Sequence, residues 1–306
     1  MALPQEFVDL AREVNNWGRW GHGDELGTLN IITPDVVKRA AACVRTGKTF
    51  ALGLPLSEDG PQMGAIPGRI NPVHRMTQVN TAFLEDPDAI RFSDDVVEMG
   101  LQCATHWDAL SHASYKGTLY NGFPADSITE DGASRCSSDK IRSLVSRGVL
   151  LDVARTKGVD RLGGGYAITS DDLDAAAGDV DVQAGDVVLI RTGHVQFLAE
   201  GDRKSYGRSA PGPGIDAVRW FRRHDVAAVA TDTMSFEVFP CERDDLFFPV
   251  HLLDLVEMGM IQGQNFQLEA LAADCADDGV YTFLLEATPD PFVKAVGAPV
   301  QPIAVK

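Results

Sequence analysis

The stretch Gln102-Cys103-Ala104-Thr105-His106-Trp107-Asp108-Ala109-Leu110-Ser111-His112 gathers two histidines, an aspartate and a glutamine within a few residues of one another. In extended backbone, side chains two residues apart point the same way, with Cα atoms roughly 6.6 Å apart. His106 and Asp108 therefore share a face, and an imidazole nitrogen and a carboxylate oxygen can converge on one ion. Gln102, His106, Asp108 and His112 have the same parity, which suits a strand; a helix would scatter them around its cylinder. A straight strand of ten residues spans roughly 33 Å, too far for one site. The chain is expected to fold back near Ala104-Thr105 or between Asp108 and His112, through a bulge or a bend.

Outward from this stretch, short apolar runs alternate with helical patterns. Val149 to Val153, Val187 to Ile190 and Val226 to Ala230 read as strands buried on both faces, and Phe50 to Leu54, Tyr281 to Glu286 and Ile303 to Val305 as further strands. Helices are expected over residues 4 to 14, from Thr33-Pro34 to about Thr46, over Asp139 to Arg147, from Ser170 to about Ala177, and from Pro213 with Ile215, Val218 and Phe221 inward. Thr33 supplies a capping hydroxyl and Pro34 the favoured first helical residue. Buried strands alternating with helices imply an α/β fold with a sheet covered on both sides. Residues 57 to 75 read as a long proline- and glycine-rich loop of the kind found at active sites and interfaces. No repeat or linker divides the chain, so residues 1–306 are read as one domain with an N-terminal helical and loop extension to about residue 47.

Composition removes whole classes of function. The net charge is −17 over 306 residues, which argues against nucleic-acid and anionic-membrane partners. No secretory signal is visible, and the apolar runs are far below the ~18 residues of a membrane span, so a cytoplasmic protein is expected. The five cysteines are scattered without a C-x-x-C pair, which speaks against a disulfide framework or zinc knuckle. Cys103 points away from His106 and is read as core. The glycine-rich nucleotide motifs, the G-x-S-x-G elbow and H-E-x-x-H are all missing, so dinucleotide, P-loop, serine-hydrolase and zincin chemistries lack their parts.

The stretch around His106 resembles the His-x-Gly-Thr-His-x-Asp-x-Pro-x-His signature of the cyclase family, which includes bacterial kynurenine formamidases and isatin hydrolase. Thr105, His106, Asp108 and His112 match; Gln102, Ala104 and Leu110 depart from it. Trp20-Gly-His-Gly-Asp24-Glu-Leu-Gly-Thr28-Leu-Asn30, Gly185-Asp-Val-Val-Leu-Ile-Arg191-Thr192-Gly193, Thr231-Asp232-Thr233 and the run from His251 are similar to further family blocks. The resemblance implies a β/β/α arrangement with a mixed, partly barrel-like sheet flanked by helices, and a homodimer or homotetramer. It also implies metal-dependent hydrolysis of a small cyclic or aromatic amide, imide or lactone-type ester.

His106 and Asp108 are then the expected ligands of one divalent metal ion, Mn²⁺ or Zn²⁺, since nitrogen and oxygen donors without thiolate suit either. Gln102 stands where relatives place a ligating histidine and is the third candidate ligand, through an amide oxygen that is a weaker donor than imidazole; Gln264 stands where they carry a glutamate. Loss of that carboxylate removes charge that would help hold a second ion. His112 or His251 is the expected proton carrier, and Gln264 a candidate donor to a developing oxyanion. Trp20, Trp107, Tyr115, Tyr120 and Phe123 are the candidate aromatic walls for a flat substrate, although the opposite parity of Trp107 also suits a core. A non-catalytic binding protein with a decayed site, and a cyclase or dehydratase, are the alternatives.

Overall fold

The structure, a computed structural model, describes residues 3–86 and 88–306. Its strands, in chain order, are β1 (Thr49–Ala51), β2 (Val73–Ala82), β3 (Arg91–Glu98), β4 (His106–Asp108), β5 (Val145–Asp152), β6 (Val187–Arg191), β7 (Ala228–Thr231), β8 (Ile261–Gln264), β9 (Thr282–Glu286), β10 (Gly297–Pro299) and β11 (Ile303–Val305), beside a few two-residue pairs. Among the described residues, nine of these form one curled, half-barrel sheet in the order β1-β11-β9-β5-β6-β7-β8-β4-β10. Strands β5 to β8 run parallel; the flanking pairs are antiparallel. The fold is thus mixed α/β, with the apolar strands at its parallel centre.

Side-chain parity sorts the centre of the sheet into two cores. Val188, Ile190 and Val229 face one core with Phe7, Leu10 and Val14 of the first helix, Gln5–Val14, and with Val218 and Phe221 of the helix Ala217–Arg223. Val187, Leu189, Ala228 and Ala230 face the other, with Leu271 and Cys275 of the helix Glu269–Asp278. Residues at alternate positions of one strand thereby bury against helices on opposite sides. The ends of β6 and β7 are tied by Asp232, whose buried carboxylate accepts from the Thr192 amide and hydroxyl and from the Gly193 amide.

One expected helix does not form. Asp139 to Arg147 contains only the turn Ser138–Lys140, and β5 begins at Val145. Gly148, next after that segment, is a strand residue: a β-carbon there would lie 2.1 Å from Phe283 Cε2, so the aromatic ring of β9 occupies the vacant position. Pairing with β9 on one side and β6 on the other overrides local helix preference. The second helix ends at Ala41, short of Thr46, and the helix expected from Pro213 starts at Ala217.

The end of the long loop, from Val73, enters a ribbon of β2 and β3 that stands outside the main sheet with nearly every residue exposed. Among the described residues no helix is long and apolar enough to cross a membrane.

Strand β8 can lie between β7 and β4 because Gly263 has no side chain. A β-carbon there would fall 2.5 Å from Ala230 Cβ and 2.8 Å from Trp107 Cζ3. Gly263→Ala is expected to destabilise the fold by about 1–3 kcal/mol, the usual cost of overpacking, read as a lower urea midpoint at unchanged slope.

Candidate functional site

Strand β4 is only three residues long, and the chain turns sharply on both sides of it. The His112 amide donates to the Ala109 carbonyl at 2.8 Å, which closes the turn after Asp108. Both of the expected fold-back points are used, and Gln102, His106, Asp108 and His112 are drawn into one region. In register with β8, Asp108 lies opposite Gln262 and His106 opposite Gln264. These four side chains share a face of the sheet. Trp107 takes the opposite face.

Each polar atom around Asp108 has a definable state. His106 Nδ1 lies 2.7 Å from the Ala104 carbonyl oxygen. A carbonyl only accepts, so Nδ1 carries the proton and Nε2 presents its lone pair. The Gln264 Nε2 amide donates to Asp108 Oδ2. That leaves His106 Nε2, Asp108 Oδ1 and His112 Nδ1 buried with no partner. The carboxylate oxygen is 3.3 Å from the first nitrogen and 3.6 Å from the second.

Burial alone would push the Asp108 carboxyl up, but the His112 and His106 imidazoles outweigh it and hold the group well below the usual carboxylate range. Burial pushes the His112 imidazole down, against the pull of Asp108.

The backbone holding His106 is itself clamped. Thr105 Oγ1 donates to the Asn265 carbonyl at 2.6 Å and accepts from the Leu54 amide at 2.8 Å. Asn265 Nδ2 donates to the Ala104 carbonyl, the same oxygen that orients His106, while Tyr206 donates to Asn265 Oδ1. Thr105 thus serves the geometry of the site without facing it.

His251 lies at the start of a helical segment, Pro249–His251, that continues as a π-turn over Leu252–Met258. Glu237, wholly buried, accepts from the amides of Val250 and His251 and from His251 Nδ1, the last at 2.6 Å. The carboxylate fixes the Nδ1–H tautomer and leaves Nε2 for chemistry. His251, His112 and Gln264 line one cavity of about 500 Å³. Arg69, Met234, Phe239, Phe247 and Phe248 complete much of its wall.

The five aromatic residues expected at the wall are placed elsewhere. Trp107 is core, packed edge-on to Phe266, with its indole N–H donating to the Ala287 carbonyl. Tyr120 is buried and donates to Asp24, and Tyr115 donates to Glu257. Trp20 lies under the Arg19 guanidinium and Phe123 under that of Arg135. The Trp20–Asn30 block is a structural clamp: Asp24 accepts from Gly27, Asn30 and Tyr120. Gln102 is half-buried beside Gly297, where a β-carbon would meet Gln102 Nε2 at 2.7 Å and Asp108 Oδ1 at 3.4 Å. The missing side chain of Gly297 lets the amide and the carboxylate share that space.

Glu237 and Arg69 went unread because each stands alone in sequence among ordinary charged residues. Phe247-Phe248, three residues before His251, is a local aromatic signal for that wall.

The donor set fits a divalent cation. Two imidazole nitrogens and a carboxylate oxygen, all desolvated and unpartnered, are what a nitrogen- and oxygen-liganded ion needs. Among the described residues no three His, Cys, Asp or Glu side chains are closed around a single ion position. The convergence rests on the two pairwise approaches and the three orphaned atoms.

Comparison with known proteins bears on the family and the fold. The sequence model of the putative cyclase family matches residues 13–238. A crystal structure described as a novel cyclase is 39% identical, with a TM-score of 0.88 over 97% of this chain and 99% of that one. Isatin hydrolase A from Ralstonia solanacearum is 19% identical, with a TM-score of 0.63 over 90% of this chain and 99% of that one. A "predicted metal-dependent hydrolase" from Bacillus stearothermophilus is 18% identical, with a TM-score of 0.52 over 85% and 98% of the two chains. No curated protein matches in sequence.

Proposed function

The chain belongs to the cyclase family, and on that footing we propose that it is a metal-dependent hydrolase of a small cyclic or aromatic amide, imide or lactone-type ester. The observation that carries the reading is the convergence of His106 Nε2, Asp108 Oδ1 and His112 Nδ1, buried and without partners, beside a cavity sized for a small flat molecule. The isatin hydrolase and metal-dependent hydrolase folds lend support from outside the chain. A single Mn²⁺ or Zn²⁺ ion held by these residues would polarise an acyl carbonyl and bring the pKa of water towards neutrality.

The chain's own groups do the rest. His112, expected as the proton carrier, belongs with His106 and Asp108 in the donor set, because its orphaned nitrogen faces their carboxylate. His251 is left as the base. Its Nε2 takes a proton from water and later delivers it to the leaving nitrogen or oxygen, a task suited to an imidazole near neutral pH. Glu237 orients the ring and stabilises the imidazolium between the two transfers. Gln264 steadies Asp108 Oδ2 and so keeps Oδ1 aimed at the two imidazoles. The apolar walls exclude bulk water and seat a ring.

The assembly we propose is a pair of copies joined through the β2–β3 ribbon. Val79, Phe83, Phe92 and Val97 are exposed on it, and a two-stranded ribbon alone is marginal in water. His74, Arg75 and Arg91 share it with Asp94, Asp95 and Glu98, so both signs of charge are present for self-complementary contact.

Protein purified without chelator is expected to hold close to one equivalent of Mn²⁺ or Zn²⁺ by elemental analysis, and Asp108→Ala to hold little; wild-type protein that takes up no divalent ion would end the hydrolase reading. Glu237→Gln should keep the metal and lower kcat by about 10²-fold, on the scale of a lost general base, with KM little changed. An unaltered kcat would remove His251 from the proton path. In sedimentation the wild type is expected as a dimer or larger and Val79→Asp/Phe92→Asp as a monomer; equal masses would exclude the ribbon as the interface.

A further inference from the structure

The cavity beside His251 contains a cation that makes no direct contact with an anion among the described residues. Arg69 lines it, half-buried, and among the described residues its guanidinium makes no hydrogen bond and no ion pair. Among the described residues, the other arginines that are not fully exposed all have partners: Arg39 and Arg147 on Asp186, Arg161 on Glu200, Arg191 on Asp152 and Glu269, Arg222 on Asp225, Arg243 on Asp245, and Arg203 on the Gln62 carbonyl. In a chain with 44 acidic residues against 27 basic ones, an unpaired, part-desolvated guanidinium is the exception. Burial pushes it down from the usual arginine range, while Asp108, close enough to act on it, pulls the other way. Arginine remains charged in either case.

The loop is built to bring this side chain inward. The Arg69 amide donates to the Ile66 carbonyl, closing a turn through Gly68 at φ +77°. The stem then passes Gly100, where a β-carbon would lie 3.3 Å from Arg69 Cα and 3.4 Å from its Cγ. The same cavity is lined by Phe239, Phe247 and Phe248, with Phe239 and Phe248 stacked at 6.0 Å and nearly parallel. A planar fork of donors and flat apolar rings in one cavity select a flat molecule with a planar anion on its edge.

We propose that Arg69 is the specificity-determining residue of this cavity and that it recognises a carboxylate carried by an aromatic substrate or product. The proposal deepens the hydrolase reading and takes its pocket from it, but binding alone decides it.

Benzoate and its neutral isostere benzamide are the probes, titrated by calorimetry into the protein as purified, with its resident metal. Wild type is expected to bind benzoate more tightly than benzamide. Arg69→Gln should weaken benzoate by about tenfold or more, the scale of a lost charge-assisted bidentate contact, and leave benzamide within about twofold. Arg69→Lys keeps the charge without the fork and should fall between the two. Benzamide affinity and the unfolding midpoint of each variant report whether the pocket and fold survive. Benzoate affinity unchanged in Arg69→Gln would place the carboxylate elsewhere and overturn the proposal, as would a wild type that binds neither probe or prefers the amide. None of these results depends on turnover. A metal-free or inactive protein that still discriminates benzoate through Arg69 would sink the hydrolase reading alone.

Discussion

The arrangement of the site follows from burying one carboxylate between two imidazoles. Asp108 is fully buried, and an isolated ionised carboxylate removed from water costs several kcal/mol even after relaxation. The chain offsets that cost locally. One oxygen accepts from Gln264; the other, beside the His106 and His112 nitrogens, is left without a partner. The constraint reaches far into the fold: β8 must lie in register beside β4 to deliver Gln264, Gly263 must be small for the strands to meet, and Gly297 must be bare on the other flank. Thr105 and Asn265 then lock the turn that aims His106.

A second buried carboxylate follows the same logic with a different outcome. Glu237 is satisfied by two backbone amides and the His251 ring, so none of its proton-bonding capacity is turned to the cavity. The two carboxylates divide the work. Asp108 retains an unpartnered oxygen and suits a cation, whereas Glu237 spends its charge on orienting an imidazole. Arg69 adds a third kind of group, a cation facing the cavity without an anion. The pocket therefore combines an electron-pair donor set, a positioned base and a guanidinium without a direct partner, with aromatic rings on its wall.

Much of this was legible locally. The parity of His106 and Asp108, with Trp107 turned away, is a property of extended backbone and needed no partner strand. The apolar runs at 149–153, 187–190 and 226–230 marked the sheet centre because strands covered on both faces must be apolar throughout. The turn around the motif followed from length alone, since an extended segment could not bring Gln102 and His112 together. The misread segment Asp139 to Arg147 shows the limit. Its residues accept a helix, and only pairing with β9, and from Gly148 with β6, supplied from more than a hundred and from about forty residues away, makes a strand from Val145 onward.

By itself, then, the amino-acid order determined the α/β class, the face shared by His106 and Asp108, and the chemical character of the donors, because those depend on backbone periodicity and side-chain type. Tertiary structure decided which groups meet. It moved Trp107, Tyr115 and Tyr120 into packing and polar clamps, placed Phe239, Phe247 and Phe248 at the wall in their stead, set Glu237 behind His251, and left Arg69 without a counter-ion. Those outcomes rest on contacts between segments up to about two hundred residues apart, and whether a charged or aromatic side chain is paired, packed or free is a property of its neighbours in space.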